Sequence, residues 1–187
     1  MAVVAQEKER REMTETVLET ERLRLRRLTE GDFGNLCLIM KDDETMRAYE
    51  GAFSDREVKE WIEKMLGRYR EYGFGLWAVE LKATGVFIGQ CGITMQTLGN
   101  GRQVHEVGYL FRRDFWHNGY ATEAARGCMD YAFDTLGAEE VYSIIRDSNT
   151  ASQRVAERNG MRRVGTMIKH YRGVDMPHYI YAAGRKI

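Results

Sequence analysis

The stretch FWHNGYATEA, Phe115 to Ala124, decides the fold because it places a glycine and small residues where a strand passes into a helix. The preceding segment, VHEVGYLF from Val104 to Phe111, is typical of a strand. After it, apolar residues recur at helical spacing from Ala121 to Leu136 and predict a long helix. The first turn of a helix has unpaired N–H groups and the positive end of the helix dipole. This junction is therefore a candidate site for a phosphate or pyrophosphate group.

The segments before residue 73 predict one strand and two helices. RLRLRRL, residues 22–28, alternates strictly and predicts a strand whose arginines form a solvated basic face. Apolar residues at helical spacing predict a first helix over residues 33–40. SDRE, residues 54–57, is a capping box, and the apolar stripe behind it predicts a second helix that ends near Gly73.

Two further strands lie between the second helix and the opening stretch. LWAVEL (residues 76–81) and VFIGQCGITM (residues 86–95) predict a hairpin. Asn100-Gly101 predicts a type I′ turn into the strand that begins at Val104, because both central positions of that turn need positive φ. The three strands therefore form an antiparallel meander.

The C-terminal part alternates strands and a helix. VYSIIR (141–146) predicts a strand, and Ser148 or Asn149 caps a short helix, TASQRVAER. Two final strands are expected over 164–171 and 178–183, with Pro177 between them. The order predicts an α+β fold in which a mixed, mostly antiparallel central sheet carries helices on both faces.

Length and composition predict a single soluble domain. The chain has 187 residues, 43% of them hydrophobic and 30% charged, and 28 basic residues balance 28 acidic ones. That balance argues against a dedicated nucleic-acid binder. No apolar run approaches the roughly 18 to 20 residues that a membrane span needs, and the N-terminus lacks a signal-peptide pattern. We expect residues 1–20 to form a charged arm or tail and residues 21–187 to form the domain.

Cysteine and histidine spacing gives no sign of a metal site or a disulfide framework. Cys37, Cys91 and Cys128 are far apart, form no CxxC pair and have no zinc-type spacing with the four histidines. We therefore expect no metal and a reducing, cytoplasmic environment.

A glycine before a helix is by itself more often a turn than a binding loop, but several blocks of this sequence occur together in one family. EVGYLFRRDFWHNGYATEA closely resembles the acetyl-CoA-binding motif of GNAT acyltransferases, Q/R-x-x-G-x-G/A, here residues 116–121. NGYATEA is similar to the RimJ/RimL branch of ribosomal-protein N-terminal acetyltransferases. DSNTASQRVAERNGM, residues 147–161, resembles the segment that brackets the pantetheine arm. The resemblance covers the chain from about residue 19 onwards.

The resemblance implies the GNAT acyl-CoA N-acyltransferase fold and acetyl-CoA as cosubstrate. It implies a sheet that parts beside residues 104–111, with the pantetheine lying in the gap as a pseudo-strand. Backbone N–H near Leu110 would stabilise the oxyanion. It also implies an amine acceptor and, by family habit, a homodimer through the C-terminal strands. The residues that it places at the cosubstrate are Leu110, Phe111, Arg112, Arg113, Trp116, His117, Asn118, Gly119, Tyr120, Ala121, Thr122, Asn149 and Ser152.

The pyrophosphate loop departs from the family pattern. Trp116 replaces the usual Gln or Arg, and His117-Asn118 replaces a frequent Gly-Lys pair. A cation near the phosphates is thereby lost, so backbone amides and Arg112 or Arg113 would carry more of the contact.

The chemistry that the resemblance implies needs a neutral amine. A lysine amine has a pKa of about 10.4, so roughly one in a few thousand is neutral at pH 7, whereas a chain α-amine, at about 7.7 to 8.0, is neutral roughly a tenth of the time. Glu106 is the first candidate for the general base, with a solvated or salt-bridged strand glutamate as the alternative. The tyrosine that many members place in the last helix corresponds to Ala156 here, which leaves Tyr171 and Ser148 as candidate acids.

Two functions from different classes follow. The first is an N-acetyltransferase acting on a peptide N-terminus or a small amine through a ternary complex. The second is a non-catalytic acyl-CoA-binding or sensing module on the same fold. A dinucleotide-binding oxidoreductase is disfavoured, because no GxGxxG follows an early strand.

Overall fold

One eight-stranded sheet organises the chain. The structure is a computed structural model that describes residues 15–185. The strands are β1 (Thr16–Glu19), β2 (Leu23–Arg27), β3 (Leu76–Leu81), β4 (Phe87–Thr97), β5 (Gln103–Phe111), β6 (Glu140–Arg146), β7 (Arg162–Tyr171) and β8 (Val174–Gly184). The helices of this part of the chain are α1 (Phe33–Met40), α2 (Asp55–Tyr72), α3 (Tyr120–Asp134) and α4 (Thr150–Arg158).

The strand order is β1-β2-β3-β4-β5-β6-β8-β7, and all neighbours are antiparallel except β5 and β6. The parallel pair arises because α3 forms the crossover between β5 and β6, which a hairpin could not make. The predicted mixed, mostly antiparallel sheet is therefore confirmed.

Helices cover both faces of the sheet, as the sequence predicted. Successive residues of β4 show this, because alternate side chains of a strand point to opposite faces. The Oε1 of Gln90 accepts a hydrogen bond from Trp61 Nε1 of α2 at 3.0 Å. The next residue, Cys91, lies 3.5 Å, sulfur to sulfur, from Cys128 of α3. We call these the α2 face and the α3 face of the sheet.

The caps of α2 form as its sequence predicts. Ser54 Oγ accepts from the backbone N–H of Glu57, and the Glu57 carboxylate accepts from the backbone N–H of Ser54 at 2.8 Å. The helix ends at Gly73, whose φ of 79° lies in the left-handed region that glycine adopts without a steric cost. Val58, Ile62, Met65 and Tyr69 are buried along one side of the helix.

Arg24 and Arg26 of β2 are paired with acids, which corrects the expectation of a free, solvated basic face. Arg24 and Arg26 both donate to Glu80 of β3, at 2.7 and 2.8 Å, and Arg26 also binds both oxygens of Asp32 at 2.8 Å. Burial by itself would raise the pKa of Asp32, but hydrogen bonds from Arg26 and the backbone of Thr29 outweigh it and hold that pKa below its usual value. The network joins β2, β3 and the start of α1.

The turn between β4 and β5 differs from the predicted type I′ turn. Gly101 has a φ of 81°, but Asn100 is not among the residues with positive φ. The Leu98 N–H donates to the Arg102 carbonyl at 2.9 Å, and the Gly101 N–H donates to the Leu98 carbonyl at 2.8 Å. The chain thus inserts a third residue, Gly99, and closes a three-residue loop in which only the last position needs glycine.

The structure also adds one strand that was not predicted and moves one boundary. Thr16–Glu19 form β1 and pair with β2, so the sheet begins within the segment predicted as an arm, of which residues 1–14 lie outside the described residues. Pro177 lies inside β8, opposite Ile168 of β7, and not between the last two strands. The proline is tolerated there because the β6 pairing of β8 stops at His178.

We expect Gly92→Ala to destabilise the fold, because its Cβ would lie 2.0 Å from the Gly75 carbonyl oxygen and 2.8 Å from the Leu76 Cα. Both are backbone atoms that cannot rotate away, so a loss of about 1 to 3 kcal/mol in the free energy of unfolding is expected in urea titrations. Gly99→Ala is the matched control, since its Cβ meets nothing within 4 Å. Equal effects of the two changes would contradict this account of the packing.

Candidate functional site

The sheet opens between β5 and β6. The two strands pair only at His105–Val141 and Glu106–Tyr142. Beyond that point β5 stays with β4 as far as Phe111, while β6 stays with β8. A wedge-shaped gap therefore separates the C-terminal halves of the two central strands.

The register of β5 determines which backbone groups face this gap. The Arg112 N–H donates to the Ile88 carbonyl at 2.9 Å, and the pairing of β5 with β4 has no bulge. Because backbone groups alternate in direction along an antiparallel strand, Leu110 bonds to β4, whereas Tyr109 and Phe111 turn toward the gap. The backbone of Leu110, which was predicted to contact the cosubstrate, bonds to β4 instead, and the backbone groups of Tyr109 and Phe111 face the gap.

Side chains from both walls bond across the gap. Ser143 Oγ of β6 donates to the Val107 carbonyl at 3.2 Å. The Tyr109 hydroxyl donates to the Ser152 carbonyl of α4 at 3.0 Å, and burial raises the pKa of this tyrosine. Asn149 caps α4 by accepting from the Ser152 N–H at 3.2 Å, so of the two predicted caps Asn149 is the one formed. Asn149 and Ser152 therefore both stand at the α4 wall.

The loop between β5 and α3 presents a run of backbone N–H groups. Trp116 Nε1 donates to the Phe111 carbonyl at 2.9 Å and anchors the start of the loop. His117 and Gly119 have φ values of 63° and 79°, so the chain turns sharply twice before the helix. Among residues 15–185, no backbone N–H from residues 117–122 donates to a protein acceptor. Such a concave run of free donors at a helix N-terminus is suited to an anion.

Arg22, at the start of β2, holds this loop from the side. Its Nη1 donates to the Asn118 carbonyl at 3.1 Å, and its guanidinium lies 4.5 Å from the centre of the Tyr120 ring. Glu123 of α3 accepts from the Arg22 backbone N–H at 2.8 Å and from Nε at 2.6 Å. The sequence did not point to Arg22, because its partners lie about a hundred residues further along the chain.

Arg112 and Arg113 are engaged elsewhere. Arg112 donates to the Phe87 carbonyl at 3.1 Å and to the Asp114 carboxylate at 2.6 Å. Arg113 forms an ion pair with Asp42 at 3.2 Å. The expectation that these two arginines replace the missing loop cation is therefore not supported by their contacts.

Two other arginines line a cleft that includes Gly119 of the loop. A cleft beside the start of α3 is lined by Gly119, Thr122, Glu123, Arg126, Arg158 and Asn159. The Asn159 amide donates to the Thr122 carbonyl at 3.2 Å and accepts from Arg126 Nε at 3.3 Å. Helical spacing from Gly119 could have indicated Arg126, but Arg158 reaches this place only through the packing of α4 on α3.

Glu106 occupies the point where β5 and β6 part. One carboxylate oxygen accepts from the Ile144 N–H at 3.1 Å, and the other accepts from Thr94 Oγ1 at 3.2 Å. With no bulge in β5, Glu106 shares the α2 face with Gly108 and Leu110, as its alternation predicted. The carboxylate is half-buried at the inner end of the gap.

Of the two other predicted catalytic residues, Tyr171 ends β7, and the strand registers place it on the same face of the sheet as Glu106. Burial first, and then the charges of Glu106 and Tyr171, raise the pKa of Tyr49 to about 12. Ser148 is exposed in the turn before α4 and, among the described contacts, only its carbonyl is used, by the N–H of Thr150.

The segment between α1 and α2 is held by two arginines from the C-terminal part of the chain. Arg146, at the end of β6, pairs with Glu50 and donates to the Arg47 carbonyl at 3.2 Å. Arg172, in the turn between β7 and β8, pairs with Glu57 and donates to the Glu50 carbonyl at 3.2 Å. These contacts join the segment and the start of α2 to the end of β6 and to the turn between β7 and β8.

Within residues 15–185, no three His, Cys, Asp or Glu side chains are arranged to hold a metal ion. The three cysteines are free. None of the helices in this range is long and apolar enough to cross a membrane.

The sequence and the fold match known acetyltransferases. The family model of the GNAT acetyltransferase domain matches residues 22–162. The chain is 41% identical over 155 residues to the uncharacterized protein YkkB of Bacillus subtilis (strain 168), which covers 82% of this chain and 90% of that protein.

Two solved structures share the fold. A GNAT-family acetyltransferase from Bacillus anthracis is 24% identical with a TM-score of 0.76, over 89% of this chain and 97% of that one. RimL, a ribosomal alpha-N-protein acetyltransferase solved in complex with coenzyme A, is 17% identical with a TM-score of 0.74, over 91% and 98% of the two chains. The parted sheet, the loop of free N–H groups and these matches agree, and the chain belongs to the GNAT family of acetyl-CoA-dependent N-acetyltransferases.

Proposed function

We propose that this protein transfers the acetyl group of acetyl-CoA directly to a primary amine, on a peptide N-terminus or a small molecule, within a ternary complex. The observation that carries the proposal is the gap between β5 and β6, which has a loop of free N–H groups at its outer end and Glu106 at its inner end. An amide-containing pantetheine arm can bond to the open edge of β5, and a pyrophosphate fits the loop.

The residues present suit acetyl-CoA without the usual loop cation. The N–H groups of residues 117–122 supply donors, and Arg126 and Arg158 supply positive charge in the adjoining cleft. Tyr109 and Phe111 offer backbone groups to the pantetheine, and the N–H of Tyr109 or Phe111 is the donor for the oxyanion. Asn149 and Ser152 remain candidates for contacts from the α4 wall.

Glu106 acts as the general base in this proposal. The neutral amine attacks the thioester carbonyl, its proton passes to the Glu106 carboxylate directly or through a water, and the C–S bond breaks to release CoA thiolate. An α-amine demands less of this base than a lysine amine does, since its pKa is lower. Tyr171, Tyr49 and the exposed Ser148 are candidates to protonate the thiolate.

Helix α4, TASQRVAER, contains no tyrosine, so no tyrosine of this helix serves as the acid. The fold shared with RimL supports a RimL-like acceptor, a peptide N-terminus, as one member of the proposed acceptor class. We also propose a cytoplasmic location and a homodimer. The homodimer is supported by the edge strand β7, whose Val164 and Ile168 are 60% and 59% exposed.

Gly119→Glu should abolish acetyl-CoA binding in calorimetric titrations, because a carboxylate would stand among the loop donors and repel the phosphates. Gly137→Glu is the matched control, since Gly137 also has a positive φ, 67°, and its Cβ would meet nothing within 4 Å. Both variants carry the same backbone strain, so only the loop position should affect binding. If Gly119→Glu binds acetyl-CoA with wild-type affinity, the pyrophosphate does not bind at this loop.

Glu106→Gln should lower kcat by about 10²- to 10⁴-fold while leaving the Kd for acetyl-CoA within about threefold, because the amide keeps the shape but takes no proton. Glu63→Gln, an exposed change on α2, is the control. CoA release measured with a panel of peptide and small amines gives the rates. Tight acetyl-CoA binding by the wild type without turnover of any amine would favour the non-catalytic alternative.

A further inference from the structure

The carboxylate of Glu123, in the first turn of α3, is bonded through both oxygens to the turn that joins β1 to β2. Its Oε1 accepts from Thr20 Oγ1 at 2.6 Å and from the Arg22 N–H at 2.8 Å. Its Oε2 accepts from Arg22 Nε at 2.6 Å. The side chain of Glu123 is 17% exposed, so these three donors replace most of the water that would surround a free carboxylate.

The turn that supplies these donors is itself fixed. The Thr20 N–H donates to the Leu23 carbonyl at 2.9 Å, and Thr20 Oγ1 accepts from the Leu23 N–H at 3.2 Å. The Lys82 N–H donates to the Arg22 carbonyl at 2.9 Å, and Lys82 Nζ donates to the Thr20 carbonyl at 3.2 Å. The turn also lies directly against α3, because a Cβ on Gly127 would approach Thr20 Cγ2 to 2.8 Å.

Arg22 joins the Glu123 carboxylate to the loop in front of α3. While its Nε is bonded to Glu123, its Nη1 donates to the Asn118 carbonyl at 3.1 Å. The C=O and the N–H of a trans peptide point in opposite directions. Holding the Asn118 carbonyl on the Arg22 side therefore turns the N–H of Gly119 to the other side. Within residues 15–185 this N–H donates to no protein acceptor, and it belongs to the run of free donors in the loop.

Glu123 would oppose an anion at this loop if its charge were not offset. Of the described residues that line the cleft beside Gly119, Glu123 is the one acid. Burial by itself would raise its pKa, but hydrogen bonds from Thr20 and Arg22 outweigh it and hold the pKa of Glu123 below its usual value, so the carboxylate is ionised at neutral pH. A carboxylate without a partner here would repel phosphates, and the bonded Arg22 guanidinium offsets that charge.

We propose that Arg22 is a positioning residue for the cosubstrate, which turns the Gly119 N–H toward the pyrophosphate and neutralises the Glu123 carboxylate beside it. Arg22 touches no reacting atom in this proposal. The inference rests on the proposed function, because it takes the loop in front of α3 as the pyrophosphate site. It gives the turn after β1 a part in binding acetyl-CoA.

The test measures the Kd for acetyl-CoA by calorimetric titration. Arg22→Met keeps an unbranched side chain but removes the charge and the side-chain donors, so the Kd should rise by about 10- to 100-fold. Arg22→Lys keeps the charge but cannot reach Glu123 and Asn118 together, so its Kd should rise by only about 3- to 10-fold. Equal losses in the two variants would indicate a packing role and overturn the proposal.

A second change separates the charge of Glu123 from its hydrogen bonds. Arg22→Met combined with Glu123→Gln should bind acetyl-CoA about 5- to 20-fold more tightly than Arg22→Met alone, because the amide oxygen still accepts from Thr20 but the repelling charge is gone. Glu123→Gln added to Arg22→Lys should give no such gain, since the lysine already offsets the carboxylate. A double variant that binds no more tightly than Arg22→Met would overturn the proposal.

Arg185→Met is the matched control, because Arg185 pairs with Asp134 at 3.2 Å at the other end of the same helix. Its Kd should stay within about threefold of the wild-type value. Urea unfolding shows whether each variant is folded, and if Arg22→Met is not, a wild-type Kd in Arg22→Lys overturns the proposal.

The wild-type titration distinguishes failure of this inference from failure of the proposed function. If the wild type binds acetyl-CoA and both Arg22 variants bind it equally well, the positioning role is wrong and the acetyltransferase proposal stands. If the folded wild type does not bind acetyl-CoA, the proposed function itself is contradicted, and the inference is overturned with it.

Discussion

The separation of β5 from β6 is the constraint on which the rest of the structure depends. Parting two central strands leaves backbone groups without a ladder partner, and such groups are costly when they are buried. Side chains form hydrogen bonds to some of these unpaired backbone groups. Glu106 bonds to the Ile144 N–H, and Ser143 and Trp116 bond to carbonyls on the open edge of β5. The remaining free edge is what a pantetheine arm can use.

Ion pairs between distant segments hold the elements around this gap. Arg22 pairs with Glu123 and donates to the Asn118 carbonyl, so it holds the loop in front of α3 from the side. At the end of β6, Arg146 pairs with Glu50, and Arg172 of the turn between β7 and β8 donates to the Glu50 carbonyl.

Much of the fold was predictable because it rests on local signals. The Ser54 capping box, the glycine that ends α2 and the small-residue stripe of α3 all form as their sequences predict. Predictions failed where the conformation of one element depends on its pairing with another. The Asn100-Gly101 pair does form a turn, but the loop length set by the β4–β5 register changes its type.

By itself, the sequence determined the kinds and order of the elements from β2 onwards, the loop ahead of α3 and the position of Glu106, since these depend on residues close together in the chain. Only the tertiary structure decided that Tyr109 rather than Leu110 faces the gap, and that Arg112 and Arg113 are engaged while Arg22, Arg126 and Arg158 stand near the loop. The physical reason is that strand register and ion pairing are set by contacts between segments far apart in sequence. Local sequence propensity does not indicate which charged residue will lie close to another in the folded chain.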